Sequence, residues 1–197
     1  MTPRAAWLAA IGVPLSVSAA QAHTVIDGIG GFPGGLLHPL LVPAHGLALI
    51  ALGCLVGQFG WRTRLMLIAA FIAGAALTVA LVTMAFSANA AEQVVLALAS
   101  IAGLLLAAWL RPPSLMVAIL AICIAAAITL DSVPAILSVK ETLLSLGGTV
   151  IAATSLLTLI AVLSAAGPQL WQRIGIRMLG SWITASAIMV LALRLAM

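Results

Sequence analysis

Two histidines, His38 and His45, share one apolar stretch, LLHPLLVPAHGLALIALGCLVGQ, over residues 36–58. Neutral imidazole ligates nickel, copper, zinc and iron alike, and it also carries protons. In hydrocarbon such a ring is expensive unless it is paired, wet or liganded, so its presence marks a functional-site candidate. The two lie seven positions apart, which on a straight helix gives one shared face but roughly 10 Å of rise. Spacings of three or four bring a histidine pair to one ion; a spacing of seven does not. Pro43 falls between them. It removes a backbone donor and crowds the carbonyl of Pro39, so the segment is expected to kink or open there. Either the break draws the rings together or they are successive stops along a path. Carbonyls freed between the imidazoles would suit a cation. The competing reading is a buried histidine hydrogen-bonded to a neighbouring carbonyl. Cys54, nine residues beyond His45, falls close to the opposite face and makes a poor third ligand.

The remaining candidate ligands lie near the ends of apolar runs. Residues 1–22 combine a basic Arg4, a short apolar centre and Ala20-Gln21-Ala22, the small-x-small pattern of a cleaved signal peptide. Cleavage there would leave His23 with a free amine beside its imidazole, a pair able to chelate a divalent cation, with Asp27 four residues on. Glu92 and Asp131 stand at the mouths of later runs, where acids attract cations. Glu92 is equally explained as a carboxylate at a helix N-terminus, where it is favourable. No nucleophile–base arrangement, phosphate loop or pair of intramembrane carboxylates is seen, so the expectation is not an enzyme.

These residues need a scaffold, and composition says which. Hydrophobic residues make up 64% of the 197 and charged residues 6%. Few charges cannot cover a soluble domain of this size, whereas a bilayer asks for none. The expectation is an all-α polytopic membrane protein: signal peptide 1–22, a glycine-rich periplasmic segment 23–36, and a six-helix transmembrane domain 37–197. The lead HTVIDGIGGFPGGLL, residues 23–37, reads as an external loop, since it carries five glycines and Pro33. Six apolar runs follow at about 37–58, 65–87, 93–110, 114–131, 143–166 and 178–196, each near the length of a span.

Charge sets the orientation. Arg62, Arg64, Arg111, Arg173 and Arg177 fall in alternate connections, while Asp27, Glu92, Asp131 and Glu141 fall on the other side with Lys140 and Arg194. Basic connections stay cytoplasmic, which puts both mature termini in the periplasm of a bacterial inner membrane. Trp61, Trp109, Trp171 and Trp182 sit near helix ends, as an interfacial belt does. The pI near 10.6 rests on scattered bases and not on a patch, so no nucleic-acid partner is expected. Cys54 and Cys123 have no CxxC spacing and read as small core residues. Gly53, Gly57, Gly74, Gly103, Gly147 and Gly148 invite close helix approach.

The stretch from His38-Pro39 through Pro43-Ala44-His45, Ala48 and Ala51 to Gly53 resembles the first-helix motif HPxxGxDHxLAMxAxG of the HupE/UreJ family of hydrogenase and urease accessory membrane proteins, regarded as nickel permeases. Glu92 with Ser100 and Gly103 is similar to that family's third-helix signature, and Arg177 and Gly180 sit where its last helix begins. The motif's acid is Ala44 here and its methionine Leu49; in place of a fourth-helix HGxAHGxE cluster stands Ile122 to Asp131, where Asp131 alone can supply the acid. The resemblance implies a nickel or cobalt permease without ATP hydrolysis, with the lipid bilayer and a divalent ion as partners. The alternative is a non-transporting accessory protein working with urease or hydrogenase maturation proteins. No resident cofactor is implied beyond that ion.

Overall fold

The computed structural model describes residues 31–82, 90–134, 138–165 and 170–196. Among these, all regular structure is helical: α1 Gly31–Leu41, α2 Pro43–Gly57, α3 Trp61–Val82, α4 Ala91–Ala107, α5 Ser114–Asp131, α6 Val139–Ala165 and α7 Leu170–Ala196. Four of them, α3, α5, α6 and α7, are long and apolar enough to cross a bilayer. A fifth crossing is available if α1 and α2 count together, bent by 71° at their junction, and α4 is an apolar helix of 17 residues. The chain is therefore a multi-helix membrane protein with four to five candidate spans. The proposed signal peptide lies outside the described residues.

Three sequence expectations are corrected. The glycine-rich lead was expected to be irregular up to residue 37, yet from Gly31 onward it is helical. Its glycines act as a contact surface: a Cβ on Gly35 would fall on the backbone of Ser145, and one on Gly148 would fall on the Phe32 carbonyl. Only side-chain-free positions let α1 lie this close to α6, and that cover is what permits so short a helix here. Second, the first span, expected to kink or open at Pro43, does break there but as two separate helices. Val42 is extended, with φ −88° and ψ 110°, as a residue before proline prefers, and Pro43 opens α2 at its first turn, where the missing N–H is no loss. Third, α7 starts at Leu170 instead of residue 178. The basic connection forms its opening turns.

Helix α2 is the axis of the bundle. It contacts every other described helix, and it has no polar face to offer solvent. A helix apolar all round belongs inside, and Ala48, Leu49, Ala51, Leu52 and Val56 are each 0% exposed. The pairs α4–α7, α1–α6 and α3–α5 pack round it. At the α4–α7 seam Gly103 and Gly180 face each other: a Cβ on Gly180 would come within 2.7 Å of the Gly103 carbonyl. Cys54 is buried as expected; Cys123 is exposed on the outer face of α5, where the sequence reading had put it in the core.

The two ends of the bundle differ in charge chemistry. At one end the arginines finish helices: Arg64 donates to the carbonyls of Phe59 (2.9 Å) and Gly57 (3.4 Å), and Arg177 Nε donates to that of Ala107 (3.1 Å). Cations there also oppose the negative C-terminal poles of α2 and α4. At the other end Arg194 pairs with Glu92 at 3.0 Å. Ser138 and Glu141 form a capping box at the start of α6, the serine hydroxyl donating to the carboxylate at 2.8 Å.

Candidate metal centre

Three side chains from three helices converge at the acidic end. His38 comes from the last turns of α1, His45 from the first turn of α2, and Asp131 from the last residue of α5. The 71° break puts the two imidazoles edge to face, with ring centroids 5.2 Å apart and planes at 66°. Of the two outcomes left open by the spacing, the bend has brought the rings together. His45 is 0% exposed, and its Nε2 lies 2.9 Å from Asp131 Oδ2, a residue 86 positions away. One donor atom from each of His38, His45 and Asp131 lies within 4.8 Å of the other two.

That geometry fits a divalent ion. Two donors bound to one ion at 2.0–2.1 Å stand at most about 4.2 Å apart; the His45–Asp131 separation falls inside that limit, and 2.9 Å is also an ordinary hydrogen-bond length. The same spacing also serves a second arrangement. With the proton on Nε2, His45 donates to Asp131, and Nδ1 carries the lone pair; that atom is buried and has no hydrogen-bond partner. A carboxylate behind a histidine in this way fixes the tautomer and raises the basicity of the opposite nitrogen, as in many metal sites. In both arrangements the cluster offers two imidazoles and one carboxylate, with His45 and Asp131 buried and His38 half-buried.

The carbonyls around the break are less available than the sequence suggested. The His38 carbonyl accepts the Val42 amide at 3.1 Å, and the Val42 carbonyl accepts the amides of His45 and Gly46 at 3.1 and 3.2 Å. Glu92 stands apart from the cluster, bonded to Arg194. His23 and Asp27 lie outside the described residues. What sequence reasoning missed is the direct bond between His45 and Asp131. The signal was present in weak form, since both residues sit on the acidic side of the charge pattern, but nothing local joins them.

The family profile described as HupE / UreJ protein matches residues 11–190. The chain belongs to the HupE/UreJ family. Comparison with curated proteins and with solved structures gives no match. Membership supports a nickel or cobalt transport or accessory role for a membrane protein. In this HupE/UreJ chain the acid against His45 comes from α5, while the adjacent position is the buried Ala44. The later positions that carried the resemblance, Ser100, Gly103, Arg177 and Gly180, meet at one seam. Gly103 and Gly180 let α4 and α7 touch, Thr184 Oγ1 lies 3.4 Å from the Ser100 carbonyl, and Arg177 closes the end of α4. Their role in this fold is packing.

Proposed function

We propose that this HupE/UreJ protein is a permease for a divalent transition-metal ion, nickel or cobalt, working without ATP hydrolysis. The observation that carries the reading is the convergence of donor atoms from His38, His45 and Asp131 within 4.8 Å, held by a broken helix inside the bundle. Imidazole with carboxylate suits borderline first-row ions, and geometry more than affinity selects among them. In this reading the chain is cut after residue 22, spans the inner membrane six times and keeps both mature termini periplasmic. The cluster then lies at the periplasmic end. On the mature N-terminus, His23 and Asp27 lie on the same side, as cation-attracting groups at the mouth, whereas Glu92 on that side is paired with Arg194. One and two turns inward, Leu49 and Leu52 are 0% exposed and close the way. The ion therefore waits at the cluster until α2 and its neighbours part.

Cells expressing the protein, compared with His38→Ala, His45→Ala and Asp131→Asn forms at equal membrane abundance, test this by nickel and cobalt accumulation. The expected result is a loss of about tenfold or more in each variant, the scale seen when a ligand or its orienting partner is removed. Equal accumulation in all forms and in empty cells would overturn permeation.

A second reading is favoured by one observation: His45 is fully buried and already paired with Asp131. In a non-transporting accessory protein for urease or hydrogenase maturation, that pair would be structural. Purified protein that binds no nickel, with uptake unaffected, selects it.

A further inference from the structure

A shallow groove of about 550 Å³ lies along the exposed side of α7 beside Ala107, the last residue of α4. Two rows of side chains at helical i, i+4 spacing line it, Ile174, Met178 and Trp182 on one side and Arg177, Ser181 and Ala185 on the other. The second row runs from charged through hydroxyl to methyl over about 12 Å of helix, toward the middle of the bundle. We infer that this groove is a binding site for an anionic glycerophospholipid, with the phosphate at Arg177 and an acyl chain along the Met178–Trp182 wall.

Three observations select that occupant. Arg177 is exposed and lines the groove with its Nε on the Ala107 carbonyl at 3.1 Å, and a guanidinium's terminal nitrogens form the planar fork that matches phosphate. A second cation reinforces it one turn away: Arg173 is held 5.8 Å above the Trp109 ring. Trp109 itself has φ +53°, a conformation bulky residues avoid, and it closes α4 through Leu110 N–H to the Leu105 carbonyl at 3.0 Å. The chain thus keeps an aromatic under Arg173 at a position where glycine would be easier. Third, among the described residues no acid lies at this end: Glu92, Asp131 and Glu141 all fall in the opposite set of connections. A second copy of the chain docked two-fold on this face would set Arg177 against Arg177 with no carboxylate between. An anionic headgroup removes the repulsion, and an acyl chain covers Trp182, 75% exposed. Basic recesses between membrane helices bind anionic headgroups in this way.

The test uses the full chain purified in detergent, titrated in native mass spectrometry with dioleoyl phosphatidylglycerol, dioleoyl phosphatidylcholine or inorganic phosphate. Phosphatidylglycerol should bind about tenfold more tightly than phosphatidylcholine, and inorganic phosphate should not be retained. Arg177→Gln should weaken phosphatidylglycerol about tenfold, one charge-assisted contact. Ala185→Trp, which fills the apolar part and leaves Arg177 in place, should weaken it too, and it carries the test if Arg177→Gln fails to fold. Equal binding of the two lipids, retention of phosphate as strongly as of lipid, unaltered binding in Ala185→Trp, or a lipid-free dimer would each overturn the site. Metal handling at the opposite end is untouched by any of these outcomes.

Discussion

His45 and Asp131 form a buried hydrogen bond of 2.9 Å between the first turn of α2 and the last residue of α5. Each answers the other's problem. A ring at 0% exposure needs a partner for Nε2, and a carboxylate side chain 6% exposed needs a donor. Asp131→Asn keeps the shape and a polar atom beside the ring but removes the charge. Nickel binding by the purified protein should fall about ten- to hundredfold while the helical circular dichroism is unchanged. Asp131→Leu leaves Nε2 without an acceptor and should also lower stability, by about 1–3 kcal/mol, read as a shift in thermal unfolding in detergent. Undiminished metal affinity in Asp131→Asn would remove Asp131 from the site.

Two adjacent glycines make opposite predictions. A Cβ at Gly148 falls on the Phe32 carbonyl of α1, whereas one at Gly147 meets nothing within 4 Å. Gly148→Ala should push α1 off α6, strain the Thr149 bond to the Gly35 carbonyl, and weaken nickel binding by moving His38. Gly147→Ala should leave binding intact and gain the ordinary helical advantage of alanine, about 0.5–1 kcal/mol. Isothermal titration with nickel and thermal unfolding of both proteins check this; the same behaviour from the two would refute the close contact of α1 with α6.

Glu92 was a candidate ligand in the sequence and is held by Arg194 in the fold. The pair is partly exposed, with side chains 40% and 21% accessible, so its contribution to stability is about 0–1 kcal/mol. Glu92→Gln should therefore change unfolding little and alter nickel accumulation by less than about twofold. A tenfold loss with normal membrane abundance would restore Glu92 to the ion's path.

Orientation is open to a labelling experiment. With Cys54 and Cys123 replaced by alanine, single cysteines are placed at Lys140, exposed before the first turns of α6 are complete, and at Gly60, where a side chain meets nothing. A membrane-impermeant maleimide added to intact cells should label Lys140→Cys and spare Gly60→Cys until the membrane is opened. The reverse pattern would invert the topology and put the metal cluster at the cytoplasmic end.

The sequence disclosed helix content, the two-sided charge pattern and the histidine pair, because each is written in local composition or in spacing along a single segment. It also disclosed a break near Pro43. The form of that break was harder to read. Inside a continuous helix a proline disrupts, but as the opening residue of a new one it fits, and only the extended Val42 tells the two apart. The helical lead was hidden for a related reason. Glycines lower helix propensity wherever they stand, and their use as a contact surface depends on α6, more than 100 residues later. Asp131 was visible as an acid at a helix end. Its bond to His45 depends on how α5 packs against α2, which no periodicity within either helix encodes.

The burial of α2 bears on how this chain is made. It leaves the ribosome ahead of nearly everything that later encloses it, since α4, α5, α6 and α7 are all synthesised afterwards. Until α5 arrives, His45 lacks the carboxylate it bonds in the finished fold. The newborn segment must wait in the insertion machinery, or pressed against lipid, with a polar ring unanswered. A chain halted before Asp131 would therefore leave the buried Nε2 of His45 without its acceptor and is expected to be less stable than the full protein.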